Sequence, residues 1–143
     1  MPTRYALEME YPGACHCGNI EVRLASNRSP AELGTRTDTC SFCAKQGSLY
    51  TSDPSGELAI TIADASRVQR YRFGTRTADF LICTACGVFV AACMDDRAVV
   101  NINVLAARGE FLANPIQVAD LDGEALDDRL ARRRLRWTPL RAH

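Results

Sequence analysis

Two short cysteine motifs, far apart in the chain, constrain this sequence more than any other feature. Cys15-His16-Cys17-Gly18 lies near the start, and Cys83-Thr84-Ala85-Cys86-Gly87 lies past the middle. In an extended segment residues i and i+2 point to the same face, so Cys15 and Cys17 present two sulfurs to one point. A Cys-x-x-Cys-Gly turn does the same on a tight loop, where glycine accepts the positive φ such a turn often takes. Two such pairs supply four thiolates, the ligand set of a closed tetrahedral structural zinc site. The competing readings are separately buried cysteines, or a redox dithiol at Cys83 and Cys86. The glycine behind each pair weighs toward a metal knuckle.

The rest of the composition narrows the setting. The chain has seven cysteines in 143 residues, an odd number that counts against complete pairing as disulfides. The segment from Met1 to Glu10 has no apolar stretch of the signal-peptide kind and carries Glu8 and Glu10, so the expected address is the cytoplasm. There, reduced cysteines point to metal binding or reactivity. An apolar fraction of 47% and a charged fraction of 24% suit one globular domain over residues 1–143. Lys and Arg total 17, as do Asp and Glu, so no global field recruits nucleic acid or a membrane. No apolar run approaches the roughly 20 residues that span a bilayer.

Period-two alternation predicts strands over 19–25, with Ile20, Val22 and Leu24 on one face, and over 57–63, through Leu58, Ile60 and Ile62. Further short strands are predicted over 68–73, 79–82, 88–92 and 98–105, separated by turn residues. Together they argue for a mostly antiparallel β domain. The last thirty or so residues differ. Asp120-Leu121-Asp122-Gly123 offers N-cap candidates for a short C-terminal helix in which Leu126, Leu130 and Trp137 share a stripe. Acidic Glu124, Asp127 and Asp128 lead that segment and Arg132, Arg133, Arg134 and Arg136 close it, an order that complements the helix dipole. Asp128 and Arg132 form an i,i+4 pair.

A second cysteine pair, Cys40-Ser41-Phe42-Cys43, follows Asp38. Two thiolates are half of a zinc site, and a carboxylate can add a third ligand. Three protein ligands and an open position are the layout of a catalytic zinc. The alternative is a packing pair or an incidental dithiol.

Three segments taken in order resemble a known family. They are Gly13-Ala14-Cys15-His16-Cys17-Gly18-Asn19-Ile20, Cys40-Ser41-Phe42-Cys43-Ala44-Lys45, and Phe80-Leu81-Ile82-Cys83-Thr84-Ala85-Cys86-Gly87. They look like the glutathione-dependent formaldehyde-activating enzyme (GFA)/CENP-V-like family. The run Val99-Val100-Asn101-Ile102-Asn103-Val104-Leu105 fits the same pattern, and Tyr71 stands where the family has an aromatic. The resemblance covers about residues 13–105. It implies a mostly β, zinc-stapled antiparallel β-tent (Mss4-like), with Cys15, Cys17, Cys83 and Cys86 holding the structural zinc. In the family a Cys-x-Cys-x-x-Cys motif holds a second, labile zinc at the active site. Its last two cysteines match Cys40 and Cys43, and Asp38 takes the place of the first. The implied activity is that of a carbon–sulfur lyase acting on the adduct of a small thiol, glutathione in the named members, with an aldehyde. Asp38, Cys40 and Cys43 would be its catalytic residues.

The remaining residues have plainer readings. Cys93 reads as a strand cysteine rather than a replacement ligand. His16, between two ligands, points away from their face. His143 is terminal and expected to be disordered. The Arg132–Arg136 cluster could contact phosphate or an acidic partner, but in an uncharged chain it reads as a solvated helix end. No phosphate loop, His-Glu-x-x-His or Gly-x-Ser-x-Gly motif is present. Two functional hypotheses result. One is a zinc-dependent carbon–sulfur lyase, and the other is a non-catalytic, zinc-stabilised binding or chaperone-like module lacking the second zinc.

Overall fold

Alternating apolar residues build the first layer of the sheet. In the computed structural model, which describes residues 7–141, Ile20, Val22 and Leu24 are buried and Glu21 and Arg23 exposed along strand β2 (Ile20–Ser26). Strand β2 pairs antiparallel with β1 (Met9–Ala14) on one side and β5 (Glu57–Ile62) on the other. The predicted strands after position 68 form as β6 (Val68–Tyr71), β7 (Asp79–Cys83), β8 (Phe89–Met94) and β9 (Arg97–Asn101), an antiparallel meander. Burying a side chain the size of Ile20, Leu24 or Phe89, all at most 1% exposed, stabilises the fold by about 1.5–3 kcal/mol each. The expectation for His143 lies outside the described residues.

The strand expected over 98–105 stops at Asn101. The Asn101 Oδ1 accepts the Asn103 N–H and opens a 3-10 turn over Ile102–Val104, while its Nδ2 donates to the Phe89 carbonyl. Four shorter strands had no clear alternation to announce them: β3 (Thr35–Asp38), β4 (Tyr50–Thr51), β10 (Ile116–Ala119) and β11 (Thr138–Arg141). Among the described residues they complete a sheet of eleven strands that is mostly antiparallel, as expected, but mixed by two parallel pairs. The strand β10 lies parallel to β3, and β11 lies parallel to β5. Both parallel partners arrive late in the chain, far from the strands they join, and long connections of that kind permit parallel pairing where hairpins do not.

Helices are short until the C-terminus. They are α1 (Pro30–Leu33), α2 (Ser41–Gln46), α3 (Arg108–Leu112) and α4 (Leu126–Arg136). The predicted C-terminal helix is α4, and its acidic start and basic end stand as expected. Its details differ. Ala125 occupies the N-cap without a side-chain cap, because Asp120–Gly123 forms a separate turn closed by the Glu124 N–H to the Leu121 carbonyl. Of the expected stripe, Leu126 is exposed, whereas Leu130 is half-buried against the core and Trp137 is buried. The inward residue of α4 is Arg133, and Trp137 seats the end of the helix in the core. Arg132 pairs with Glu124 at 3.0 Å rather than with Asp128. No helix among the described residues is long and apolar enough to cross a membrane.

Candidate metal centre and adjoining cleft

The two knuckles meet at one end of the sheet. Cys15 follows β1, and its N–H donates to the Ile20 carbonyl across a turn in which Gly18 takes φ +84°. Cys83 ends β7, and the Gly87 N–H donates to its carbonyl across a turn in which Gly87 takes φ +78°. The segment between β5 and β6 bridges them. The Ala63 N–H donates to the Asn19 carbonyl, and the Thr84 N–H donates to the Arg67 carbonyl.

As a result the ligand atoms of Cys15, Cys17, Cys83 and Cys86 all lie within 4.8 Å of one another. The Cys15 and Cys17 sulfurs are 3.8 Å apart, and those of Cys17 and Cys83 3.6 Å. Zinc–sulfur bonds of about 2.3 Å at tetrahedral angles put sulfurs about 3.8 Å apart, so the four residues fit a tetrahedral ion. Burial pushes the Cys86 thiol up, but the Cys17 and Val88 N–H groups and the other thiols outweigh it and bring it down to about 6. The Asn19 N–H pulls Cys17 down, yet hydrogen bonding to Cys83, with lesser effects from burial and the other thiols, leaves it raised to about 11. His16 is exposed between the two ligands, as expected.

The second cysteine pair occupies a different place. Cys40 caps α2: its Sγ accepts the Cys43 N–H at 3.3 Å and its thiol donates to Cys43 Sγ at 2.9 Å. Cys43 is buried, and its sulfur also lies 3.0 Å from the Tyr50 hydroxyl, which receives a hydrogen bond from Ser48. Burial, and after it the hydrogen bond with Cys40, push the Cys43 thiol up to about 12. Asp38 ends β3, and its Oδ1 accepts the Cys40 N–H at 2.9 Å. Among the described residues only the Cys15, Cys17, Cys83 and Cys86 group gathers three or more ligand side chains around one point. The sulfurs of Cys40 and Cys43 are closer than the about 3.8 Å a shared zinc imposes. The carboxylate of Asp38 is turned to a backbone amide. The three residues are neighbours but do not fit a preformed three-ligand zinc site.

They do share a cleft of about 400 Å³, lined by Asp38, Cys40 and Cys43. Phe73 and Phe80 give it one aromatic wall, backed by further rings behind it. Phe42, held between the two cysteines, packs on Phe73, Phe80 and Phe89 with ring centroids 4.9–5.3 Å apart, and Tyr71 stacks on Phe73. The other wall is basic, formed by Arg36 of β3 and by Arg129, Arg132, Arg133 and Arg136 of α4. This corrects the reading of the helix end as solvated only in part: Arg134 and Arg136 are exposed, whereas Arg133 turns inward. Arg133 is only 8% exposed, donates to Thr77 Oγ1 at 2.8 Å and stacks 4.9 Å from the Trp137 ring centre. Burial, with Arg132 and Arg136 nearby, lowers Arg36 to about 10. The arginines were visible in the sequence; their convergence was not, because Arg36 and α4 are distant in the chain. Cys93 lies in β8 opposite Asp79 and joins neither sulfur group.

No protein-family model matches this sequence, and no curated protein matches it. Its structure is similar to the crystal structure of a Rhodobacter sphaeroides protein determined as a structural-genomics target. The TM-score is 0.60 at 26% identity, over 76% of this chain and 99% of that one.

Proposed function

We propose that this protein is an enzyme of the glutathione-dependent formaldehyde-activating type, a carbon–sulfur lyase with an Mss4-like fold that handles the adduct of a small thiol with an aldehyde. The observation that carries this reading is the opening of the Cys40–Cys43 thiol pair and Asp38 into one cleft beside the arginine wall. In the forward sense a thiol sulfur bonds to the aldehyde carbon, the carbonyl π bond breaks, and the thiol proton ends on the new hydroxyl. Asp38 and the hydrogen-bonded run Cys40, Cys43, Tyr50 and Ser48 are the groups available to orient the adduct and hold that proton. Zinc, which deprotonates coordinated thiols, belongs by this reading in the four-cysteine site as a structural ion. The cysteine usage supports a reducing compartment, the cytoplasm.

The test is the rate at which glutathione and formaldehyde exchange with their adduct, read by NMR magnetisation transfer. The protein should accelerate the exchange, and Cys40→Ser should abolish most of the effect while leaving the zinc of the four-cysteine site in place. Absence of acceleration by the zinc-loaded protein removes the enzyme reading.

One observation favours the other reading, a zinc-stabilised binding module: Asp38 caps the Cys40 amide instead of converging with the two sulfurs. Metal counting separates the two. Two zinc ions per chain, one lost selectively in Cys40→Ser, support a catalytic metal at Asp38, Cys40 and Cys43. One ion in both proteins, with no catalysis, supports the module.

A further inference from the structure

The basic wall of the cleft is built as a binding surface. Arginines that merely decorate a helix end point into water, yet here they meet one cavity from two distant parts of the chain. Arg36 comes from β3, and Arg129, Arg132, Arg133 and Arg136 come from successive turns of α4. The acids that line the same cavity are Asp38 and Asp122. Glu124 answers Arg129 and Arg132, at 3.2 and 3.0 Å. No carboxylate among the described residues pairs with Arg36, Arg133 or Arg136: Arg36 donates to Ser52 Oγ, Arg133 to Thr77 Oγ1, and the Arg136 guanidinium to nothing. The Nε of Arg133 is fully buried without an acceptor. A buried N–H with no partner is rare in a folded protein, and an uncompensated group of like charges repels itself. An anion in the cleft would compensate the like charges. Guanidinium groups suit that task, because their planar fork matches a carboxylate or phosphate with two parallel hydrogen bonds.

We propose that this wall is an oxyanion-binding site: the cleft takes a small acidic molecule whose carboxylate or phosphate sits among Arg36, Arg132 and Arg136, with its uncharged part toward Phe73, Phe80 and the two thiols. The proposal rests on reading the cleft as the substrate site and narrows the substrate to anionic compounds. Apart from Arg36, the wall lies on α4, beyond the segment 13–105 that carries the family resemblance. The helix that bears it is anchored rather than loose. Ser52 Oγ donates to the Arg136 carbonyl at 2.9 Å, and Trp137 is buried beneath Arg133.

Trp137 is the single tryptophan and lines the cleft, which makes its emission a local reporter. The full-length zinc-loaded protein is titrated with sodium phosphate, with glutarate as a thiol-free dicarboxylate, and with glutaramide as the uncharged match, at constant ionic strength. A saturable emission change is expected with at least one anion and none with glutaramide. Phosphate alone would assign a phosphorylated ligand, and glutarate a carboxylate. Arg136→Gln should weaken that binding by at least about tenfold, the size of a lost charge-assisted hydrogen bond. Arg132→Gln should do the same, and Arg136→Gln alone decides if Arg132→Gln fails to fold, since Arg136 has no side-chain partner to lose. No saturable response to either anion, an equal response to glutaramide, or unchanged affinity in folded Arg136→Gln overturns the proposal. Because no aldehyde is present, anion binding without acceleration of adduct exchange would leave the site standing and remove the enzyme reading. Acceleration without anion binding would do the reverse.

Discussion

Cys17 Sγ lies 3.6 Å from Cys83 Sγ, although 66 residues separate them in the chain. No local preference brings these two atoms together; the strands that end at each knuckle do. A metal at this point therefore links two parts of the sheet, and its binding free energy adds to folding.

Purified protein should carry zinc that a strong chelator removes together with the folded state. Cys83→Ser should lose the metal and lower the melting temperature sharply, whereas Cys93→Ser should keep it. Elemental analysis alongside a thermal melt checks this. The pH sense follows from the ligands, which must all be deprotonated. Acid returns protons to the thiolates and competes with the metal for the same sulfurs. Zinc retention should accordingly weaken on acidification and not on alkalinisation.

Thiol labelling should discriminate between the two cysteines of the cleft. Cys43 is 3% exposed and its thiol is pushed up to about 12, so at neutral pH it stays protonated and shielded. Iodoacetamide followed by mass spectrometry should mark Cys40 well before Cys43. The Tyr50 hydroxyl favours the Cys43 thiolate, and Tyr50→Phe should raise that thiol further and slow its labelling still more, at a stability cost of about 1 kcal/mol. Faster labelling of Cys43 in Tyr50→Phe would contradict this account.

The carboxylate of Asp53 is buried, accepting from Ser26 Oγ at 2.6 Å and from the Ser55 N–H at 2.9 Å. Its own N–H donates to Thr138 Oγ1 at 2.9 Å, so this one residue ties β2 and β11 to the turn before β5. Ser26→Ala should cost about 1–3 kcal/mol in chemical denaturation, because it leaves a buried charge short of a donor. An unchanged midpoint would mean that water replaces the hydroxyl.

Gly13 offers a steric test with an internal control. A Cβ built there would run into the Val104 carbonyl, at the point where Gly13 bridges to Leu105. Gly109, in α3, has open space around the same atom. Gly13→Ala should destabilise the protein by about 1–3 kcal/mol, and Gly109→Ala should be neutral or slightly stabilising. Equal melting temperatures for the two variants would refute the close approach.

Some of this protein could be read from the chain because the physics involved is short-ranged. The alternation of Ile20, Val22 and Leu24 makes one strand face apolar whatever the partner, and β2 follows. The Cys15–Cys17 and Cys83–Cys86 spacings orient each pair of sulfurs locally, so the two knuckles were visible, as was the charge order that complements the dipole of α4. What remained hidden depends on which surfaces meet. The parallel returns of β10 and β11 are decided by crossovers, and Asn101 ends a strand because Phe89 and Asn103 claim its side chain. Asp38 turns to the Cys40 amide instead of joining the sulfurs. Above all, a run of arginines near the C-terminus says nothing about what it faces. Only the docking of α4, through Trp137 and Arg133, sets Arg129, Arg132, Arg133 and Arg136 of that helix beside Arg36 along the cleft that holds Cys40 and Cys43.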